Sequence, residues 1–125
     1  METLAETRVT DGAAIVATAL DYFEGWFDGD VARMERALHP ALAKRALTDD
    51  SWTLNETTAD WMFDATAKHL GKQRDVPDRR IEVEVVDVYG DVASVVVRSA
   101  VYREYLHLAR TREGWRIVNA LWAWT

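Results

Sequence analysis

The sequence predicts an α+β fold in which helices come first and a mostly antiparallel β-sheet follows. In the first part of the chain, up to Leu70, apolar residues recur every three or four positions, which is the period of a helix face. From Arg80 onward they recur at every second position, which is the period of a strand. The last third indicates three successive strands, at Val92–Ser99, Tyr102–Thr111 and Trp115–Trp124.

Length and composition narrow the possible classes of protein. The 125 residues, 49% of them hydrophobic, predict one domain spanning residues 1–125. A net charge of -6 argues against binding to nucleic acid or to an anionic membrane, since both need clustered Lys and Arg. Without cysteine, disulfides and cysteine zinc sites are excluded. The acidic N-terminus and the lack of about 20 consecutive apolar residues predict a soluble, cytoplasmic protein.

The first predicted helix runs from about Val9 or Asp11 to Phe27 and ends at Gly29. Tyr22 and Trp26 form a second stripe beside its main apolar face. They form either the shoulder of the core or the wall of a cavity under the helix. The main face consists of Val9, Ala13, Val16, Leu20, Phe23 and Phe27.

Two more helices and a short strand are predicted before the sheet. Asp30 can cap a helix over Val31–Leu38, which His39-Pro40 ends because the residue before proline disfavours the helical conformation. A short strand is expected around Lys44–Leu47. Thr53 and Glu56 fit a capping box for a third helix that ends near Leu70, and residues 72–80 form a charged, exposed linker.

The strand pattern contains one slip and two turns. Ile81, Val83 and Val85 alternate with acidic residues, and the alternation then shifts by one, which predicts a β-bulge near Val86. Glycine marks the turns that follow, at Tyr89-Gly90-Asp91 and at Arg112-Glu113-Gly114.

Alternation along the last two strands assigns side chains to two faces of the sheet. Three helices cover one face, and the residues assigned to the other leave a large apolar patch of the kind that marks an interface. We therefore predict a homodimer formed through this outer face, with the reverse assignment of the faces as the alternative. The inner set is Tyr102, Glu104, Leu106, Leu108, Trp115, Ile117, Asn119 and Leu121, and the outer patch is Tyr105, Val118, Trp122 and Trp124.

Several motifs resemble the nuclear transport factor 2-like cone fold, in which three helices pack on a strongly curved, mostly antiparallel sheet of four to six strands. Tyr105-Leu106-His107-Leu108 followed by Gly114-Trp115-Arg116-Ile117-Val118-Asn119 is similar to the terminal strand pair of the "putative lumazine-binding" and SnoaL-like branch, with one spacer residue fewer after the glycine. Tyr22-Phe23-Glu24-Gly25-Trp26 and Leu38-His39-Pro40 also resemble that branch. The superfamily includes enzymes, binding modules and assembly subunits.

The resemblance implies a cavity between the helices and the concave face of the sheet. Glu104 and His39 are the candidate catalytic residues, because a buried carboxyl and an imidazole can exchange protons. Glu104 either acts in the cavity, or lies in water at its open mouth, or pairs with Arg98. The candidate ligand-binding residues are Tyr22, Trp26, Trp61, Tyr102 and Asn119.

The motifs leave the function open between binding and catalysis. No metal site is predicted, because His39, His69 and His107 lack ligand spacing, and no motif predicts a cofactor. The first hypothesis is a homodimeric binder of an aromatic or heterocyclic ligand. The alternative is a cofactor-free enzyme of the SnoaL-like or ketosteroid isomerase type that performs isomerisation, dehydration or cyclisation. A third possibility is a dimerisation module whose cavity its own side chains fill.

Overall fold

The computed structural model describes the backbone of residues 4–50 and 52–125, and the side chains of those residues from Thr10 onward. Within these ranges the chain forms three α-helices, α1 (Leu4–Asp28), α2 (Val31–Ala37) and α3 (Ala59–Ala67), and a 3-10 turn at Lys72–Arg74. The same ranges form six strands: β1 (Leu38–Leu47), β2 (Leu54–Thr57), β3 (Glu82–Tyr89), β4 (Val92–Arg98), β5 (Tyr102–Thr111) and β6 (Gly114–Trp124).

The strands form one curved sheet in the order β2-β1-β6-β5-β4-β3. Neighbouring strands are antiparallel, except that β1 runs parallel to β6. Residues of all three helices pack with the inward side chains of β4, β5 and β6 in one hydrophobic core. This arrangement confirms the predicted α+β class, but β1 and β2 precede α3, so the helices do not all come before the sheet. None of the helices in the described ranges combines the length and apolar character that crossing a bilayer requires.

The start of α1 lies upstream of the predicted one, and its buried stripe is rotated. Ala13 is exposed and Val16 and Leu20 are only half-buried, whereas Val9 lies outside the described side chains. Gly29, at φ 69°, ends the helix as predicted. The rotation places Tyr22 in the core rather than on its shoulder. The buried hydrophobic residues of the helix are Ile15, Ala19, Tyr22, Phe23 and Phe27.

The second helix and the strand after it follow one another without a loop. The Asp30 side chain accepts a hydrogen bond from the Arg33 amide and caps α2, as predicted. The helix ends before His39-Pro40, but β1 starts at Leu38 and is much longer than the predicted strand at Lys44–Leu47. Its parallel pairing with β6 extends it, and that pairing cannot be seen in the local pattern.

The predicted capping box at Thr53 and Glu56 is wrong. Residues Leu54–Thr57 form β2, which pairs antiparallel with the end of β1. The third helix begins at Ala59, and the Thr58 side chain caps it by accepting a hydrogen bond from the Trp61 amide. Pairing with β1 supplies backbone hydrogen bonds along the whole segment, and these outweigh a local capping preference.

Register shifts interrupt three strand pairs of the described sheet, β1–β6, β3–β4 and β5–β6, and only the one in β3 was predicted. The register of β3 against β4 shifts between Val85 and Asp87, which confirms the bulge at Val86. In the β5–β6 pair, His107 faces Asn119 whereas Leu108 faces Ile117, so Val118 is an extra residue.

An extra residue moves every later side chain of a strand to the opposite face. Trp122 and Trp124, predicted on the outer face, therefore lie on the helix side, where Trp122 packs against the core. Asn119 and Leu121, predicted on the inner face, lie on the outer face instead, and Asn119 is bonded there to His107. The predicted composition of the outer patch is wrong for the two tryptophans.

Candidate functional site

A cavity of about 490 Å3 lies between α1, α3, β2 and the inner face of the sheet. Its wall is largely aromatic. The aromatic residues that line it are Tyr22, Phe23, Trp26, Trp61, Tyr102, Trp122 and Trp124, and the charged and amide side chains are Lys44, Asn55, Glu56, Gln73, Arg74 and Glu104.

Three buried polar side chains form a hydrogen-bonded chain in this cavity. The Tyr22 hydroxyl donates to Glu104 Oε1 over 2.7 Å, and Lys44 Nζ donates to the same hydroxyl. Lys44 Nζ also lies 3.9 Å from Glu104 Oε1. Glu104 is only 3% exposed and Lys44 only 8%, so both charges are largely removed from water. We refer to Tyr22, Lys44 and Glu104 as the buried triad.

The triad is assembled from three elements. Tyr22 is on the buried stripe of α1. Lys44 follows the inward alternation of β1 between Leu42 and Ala46, and Glu104 follows that of β5. Both strands flank β6, where Lys44 faces Ala120 and Glu104 faces Trp122. The small side chain of Ala120 lies beside Lys44, and the Lys44 ammonium lies 5.6 Å from the centre of the Trp122 ring.

Burial and mutual attraction act in opposite directions on the pKa values of the triad. Burial raises the pKa of Glu104, while the Lys44 charge and the Tyr22 hydrogen bond partly offset that rise. Burial lowers the pKa of Lys44, and the Glu104 charge partly offsets this. Burial and the neighbouring Glu104 raise the pKa of Tyr22 well above its ordinary value, so its hydroxyl remains protonated at neutral pH.

The second carboxyl oxygen of Glu104 is not bonded to the other members of the triad. Among the described residues, every buried polar side-chain atom has a hydrogen-bond partner. Glu104 Oε2 has no such partner there, so it is accessible, and Glu104 lines the cavity. A carboxyl group with a raised pKa that lines a cavity and is held through Oε1 by Tyr22 can accept or donate a proton there.

A second group of side chains in the cavity wall surrounds Tyr102. Trp26 Nε1 donates to the Tyr102 hydroxyl over 3.1 Å. The Tyr102 ring contacts those of Trp122 and Trp124, with centres 5.6 and 5.1 Å away. The Arg74 guanidinium lies 5.0 Å from the Trp124 ring centre. This wall therefore presents ring faces and edges together with hydrogen-bond donors.

Five of the predicted site residues line the cavity and two do not. Asn119 is on the outer face because of the Val118 bulge. His39 is at the start of β1, where its Nδ1 accepts a hydrogen bond from the Ala41 amide, so it caps a local turn and lies outside the cavity. The structure therefore does not bring His39 and Glu104 together, and Arg98 binds Glu84 instead of Glu104. The five that line it are Tyr22, Trp26, Trp61, Tyr102 and Glu104.

Sequence reasoning missed Lys44, Arg74, Trp122 and Trp124. Lys44 had a detectable signal, because it stands at an inward position between the apolar residues Leu42 and Ala46. The tryptophans had none, because their orientation depends on the bulge. No group of three or more His, Cys, Asp or Glu in the described part of the chain could hold a metal ion.

Residues 10–123 match the family described as "Putative lumazine-binding". The chain belongs to this family. A comparison of this lumazine-binding family member with curated proteins finds no match. The family assignment confirms the resemblance seen in the strand and helix motifs.

Solved structures show the fold of this family member. It is similar over 100% of its length to 98% of a nuclear transport factor 2-like protein of unknown function from Shewanella baltica OS155, with 17% identity and a TM-score of 0.75. A "putative dehydratase" of the same superfamily from Streptomyces avermitilis matches with 14% identity, a TM-score of 0.64 and coverage of 93% and 97%. A "putative aromatic ring hydroxylase" from Novosphingobium aromaticivorans matches with 12% identity, a TM-score of 0.65 and coverage of 93% and 90%. The predicted cone fold is confirmed.

Proposed function

We propose that the protein binds a flat aromatic or heterocyclic small molecule in this cavity. The observation that carries the proposal is a cavity of about 490 Å3 lined by aromatic rings, with the buried triad as its polar component. Ring faces and edges bind flat molecules by stacked and edge-on contacts. Mostly apolar cavities with a few placed polar groups are typical of small-molecule sites. The family description, which names a heterocycle, supports the same ligand class.

Tryptophan fluorescence tests this proposal directly. Titration with lumazine and a panel of one- and two-ring heteroaromatic compounds is expected to give saturable quenching with one site per chain. Trp122→Leu removes a lining ring and is expected to weaken binding about tenfold, or about 1.4 kcal/mol. Trp52→Leu is the matched control, because Trp52 is 88% exposed and does not line the cavity. Absence of saturable binding by every compound, or equal loss in the two variants, would contradict the proposal.

Proton-transfer catalysis is a second candidate, favoured by Glu104, which lines the cavity and whose Oε2 has no hydrogen-bond partner among the described residues. In this scheme the Glu104 carboxylate takes a proton from a carbon next to a substrate carbonyl. The electrons of the broken C–H bond move onto the carbonyl oxygen, and the Lys44 ammonium stabilises the resulting enolate. Return of the proton to either end of the enolate system completes an exchange or an isomerisation without a cofactor.

Deuterium exchange separates catalysis from binding alone. With 2-tetralone in D2O, the protein is expected to accelerate exchange of the acidic hydrogens, as measured by proton NMR. Glu104→Gln should abolish the acceleration. Glu56→Gln should retain it, because Glu56 lines the cavity but is ion-paired with Arg45 and largely exposed. Exchange at the buffer rate with the unmodified protein would remove this candidate.

We also propose that the protein forms a homodimer through the outer face of the sheet. Paired registers place one row of residues across the six strands, with the apolar residues of β4, β5 and β6 in its middle. A two-fold axis at Tyr105 would place Val96 of one subunit on Leu121 of its partner. The row is Glu84, Val96, Tyr105, Leu121, Arg45 and Glu56; we refer to it as the outer row.

A further inference from the structure

The mouth of the cavity carries a cation without a carboxylate partner. Arg74 is on the 3-10 turn Lys72–Arg74 and lines the cavity beside Trp124. Among the described residues, no carboxylate lies within ion-pair distance of its guanidinium. The adjacent acid, Asp75, is taken by Arg79, which binds both of its oxygens at 2.8 Å.

The Tyr102 hydroxyl adds a donor at the same place. It accepts the Trp26 indole N–H at 3.1 Å, and no acceptor among the described residues takes its own proton. Burial raises the pKa of Tyr102, so the hydroxyl keeps that proton at neutral pH. Arg74 and Tyr102 contact the same ring: the Arg74 guanidinium lies 5.0 Å and the Tyr102 ring centre 5.1 Å from the centre of the Trp124 ring. Accepting one hydrogen bond also strengthens the bond that a hydroxyl donates.

The charges that line the cavity balance, whereas the whole chain is acidic. The chain carries a net charge of -6, but Lys44 and Arg74 bring two cations to the cavity. Of the two lining acids, Glu104 is engaged with the buried triad and Glu56 with Arg45. Arg74 is therefore the lining cation that remains for a ligand.

We propose that the ligand is an aromatic carboxylic acid whose carboxylate binds Arg74 and the Tyr102 hydroxyl, with its ring body in the aromatic cavity. This inference rests on the proposed binding function and adds the charge of the ligand. The planar fork of arginine matches the two oxygens of a carboxylate, and such charge-assisted hydrogen bonds are the stronger kind. Arg74 can at the same time keep its contact with the Trp124 ring face.

A pair of ligands that differ only in charge tests the inference. Naphthalene-2-carboxylate and naphthalene-2-carboxamide have the same shape, and their Kd values can be measured by tryptophan quenching at pH 7.5 and constant salt. The unmodified protein is expected to bind the acid at least tenfold more tightly. Arg74→Gln should remove that preference and leave the Kd of the amide within about twofold. Tyr102→Phe should reduce the preference, because one of the two contacts is lost.

Arg80→Gln is the matched control, since Arg80 belongs to the same linker but is exposed and pairs with Asp78 outside the cavity. It should leave both Kd values unchanged. Equal affinity of the unmodified protein for acid and amide, or a preference that survives Arg74→Gln, would overturn the carboxylate assignment. If neither naphthalene compound binds but a neutral heterocycle does, this inference fails and the proposed function stands. If no aromatic compound binds, both fail.

Discussion

Glu104 and Lys44 are a buried pair of opposite charges, and such pairs are costly unless their hydrogen bonds are satisfied. Here the Tyr22 hydroxyl lies between them, accepting from Lys44 and donating to Glu104. Removing one partner leaves the other charge buried without compensation. Removing both leaves only a change in packing. The contribution of the triad to stability therefore depends on Lys44 and Glu104 together and cannot be assigned to either residue alone.

A double-mutant cycle measures this dependence. Lys44→Met and Glu104→Gln should each destabilise the protein by about 3 kcal/mol, and the double variant should be less destabilised than the sum, with a coupling energy of about 1–3 kcal/mol. Urea unfolding at pH 7 provides the free energies. The exposed Lys68–Asp64 pair on α3 is the control and should show coupling below about 0.5 kcal/mol. A coupling at the buried pair as small as at this control would contradict the interpretation.

The raised pKa of Glu104 makes stability depend on pH with a definite sign. Between the ordinary pKa of glutamate, about 4.3, and the raised folded-state value, the folded protein holds a proton that the unfolded chain has lost. The contribution of Glu104 to stability is therefore present below this pH range and is lost as the pH rises through it.

The free energy of unfolding, measured by urea from pH 4 to 7, should show this dependence. The free energy of unfolding of the unmodified protein, minus that of the Glu104→Gln variant, should decrease as the pH rises. The pKa of Lys44 is lowered, so its contribution to stability increases as the pH rises through the range between its folded-state pKa and its ordinary pKa. The Lys44→Met variant isolates this contribution. A flat or rising difference for Glu104 would show that its pKa is not raised.

At the scale of elements, the segment after α3 is packed directly against the end of α1. Gly71 is buried, and a methyl group on its α-carbon would overlap the backbone carbonyl of Trp26. That carbonyl belongs to the helix turn that positions the Trp26 indole on Tyr102. The close approach of two backbones therefore supports one wall of the cavity.

Two glycine substitutions separate this contact from general effects of alanine. Gly71→Ala should destabilise the protein by about 1–3 kcal/mol through overpacking and should weaken ligand binding by displacing Trp26. Gly12→Ala should stabilise it by about 0.5–1 kcal/mol, because Gly12 is inside α1 and its added methyl group meets no atom within 4 Å. Thermal and urea unfolding measure both. Similar effects of the two substitutions would contradict the packing argument.

The Val118 bulge is the other element-scale feature that decides the site. It brings Trp122 and Trp124 to the cavity and turns Leu121 outward. The residues before it keep the predicted alternation, and those after it have the opposite one. The same register shift therefore accounts for both the aromatic wall and the final composition of the outer face.

At the scale of the whole molecule, the outer row gives the proposed dimer a testable centre. Tyr105 and Leu121 are 52% and 51% exposed on adjacent strands, although both are large apolar side chains. Their burial against a second copy would remove both from water. The helices and the cavity lie on the other side of the sheet and stay free in this arrangement.

Sedimentation velocity tests the dimer. The unmodified protein is expected to sediment as two subunits, and Tyr105→Glu should shift it to one subunit, since it places two like charges at the two-fold axis. Tyr89→Glu is the control, because Tyr89 is exposed at the β3–β4 turn and outside the outer row. A single subunit at every concentration of the unmodified protein would refute the proposal, as would a dimer that persists with Tyr105→Glu.

By itself, the sequence determined the features that depend on neighbouring residues. The change of period near Arg80, the stop at Gly29, the Asp30 cap and the bulge at Val86 are all local patterns, and the structure contains each of them. The inward position of Glu104 followed from alternation along a single strand.

Only the tertiary structure decided how distant segments meet. The residues predicted to begin the third helix form β2 and pair with β1 instead. Strand β1 also places Lys44 beside Tyr22 and Glu104. Because of the register shift between β5 and β6, Trp122 lies in the site where Asn119 was predicted. These outcomes depend on hydrogen bonds between residues far apart in the chain, and a one-residue shift in such pairing reverses a strand's faces without changing its local pattern.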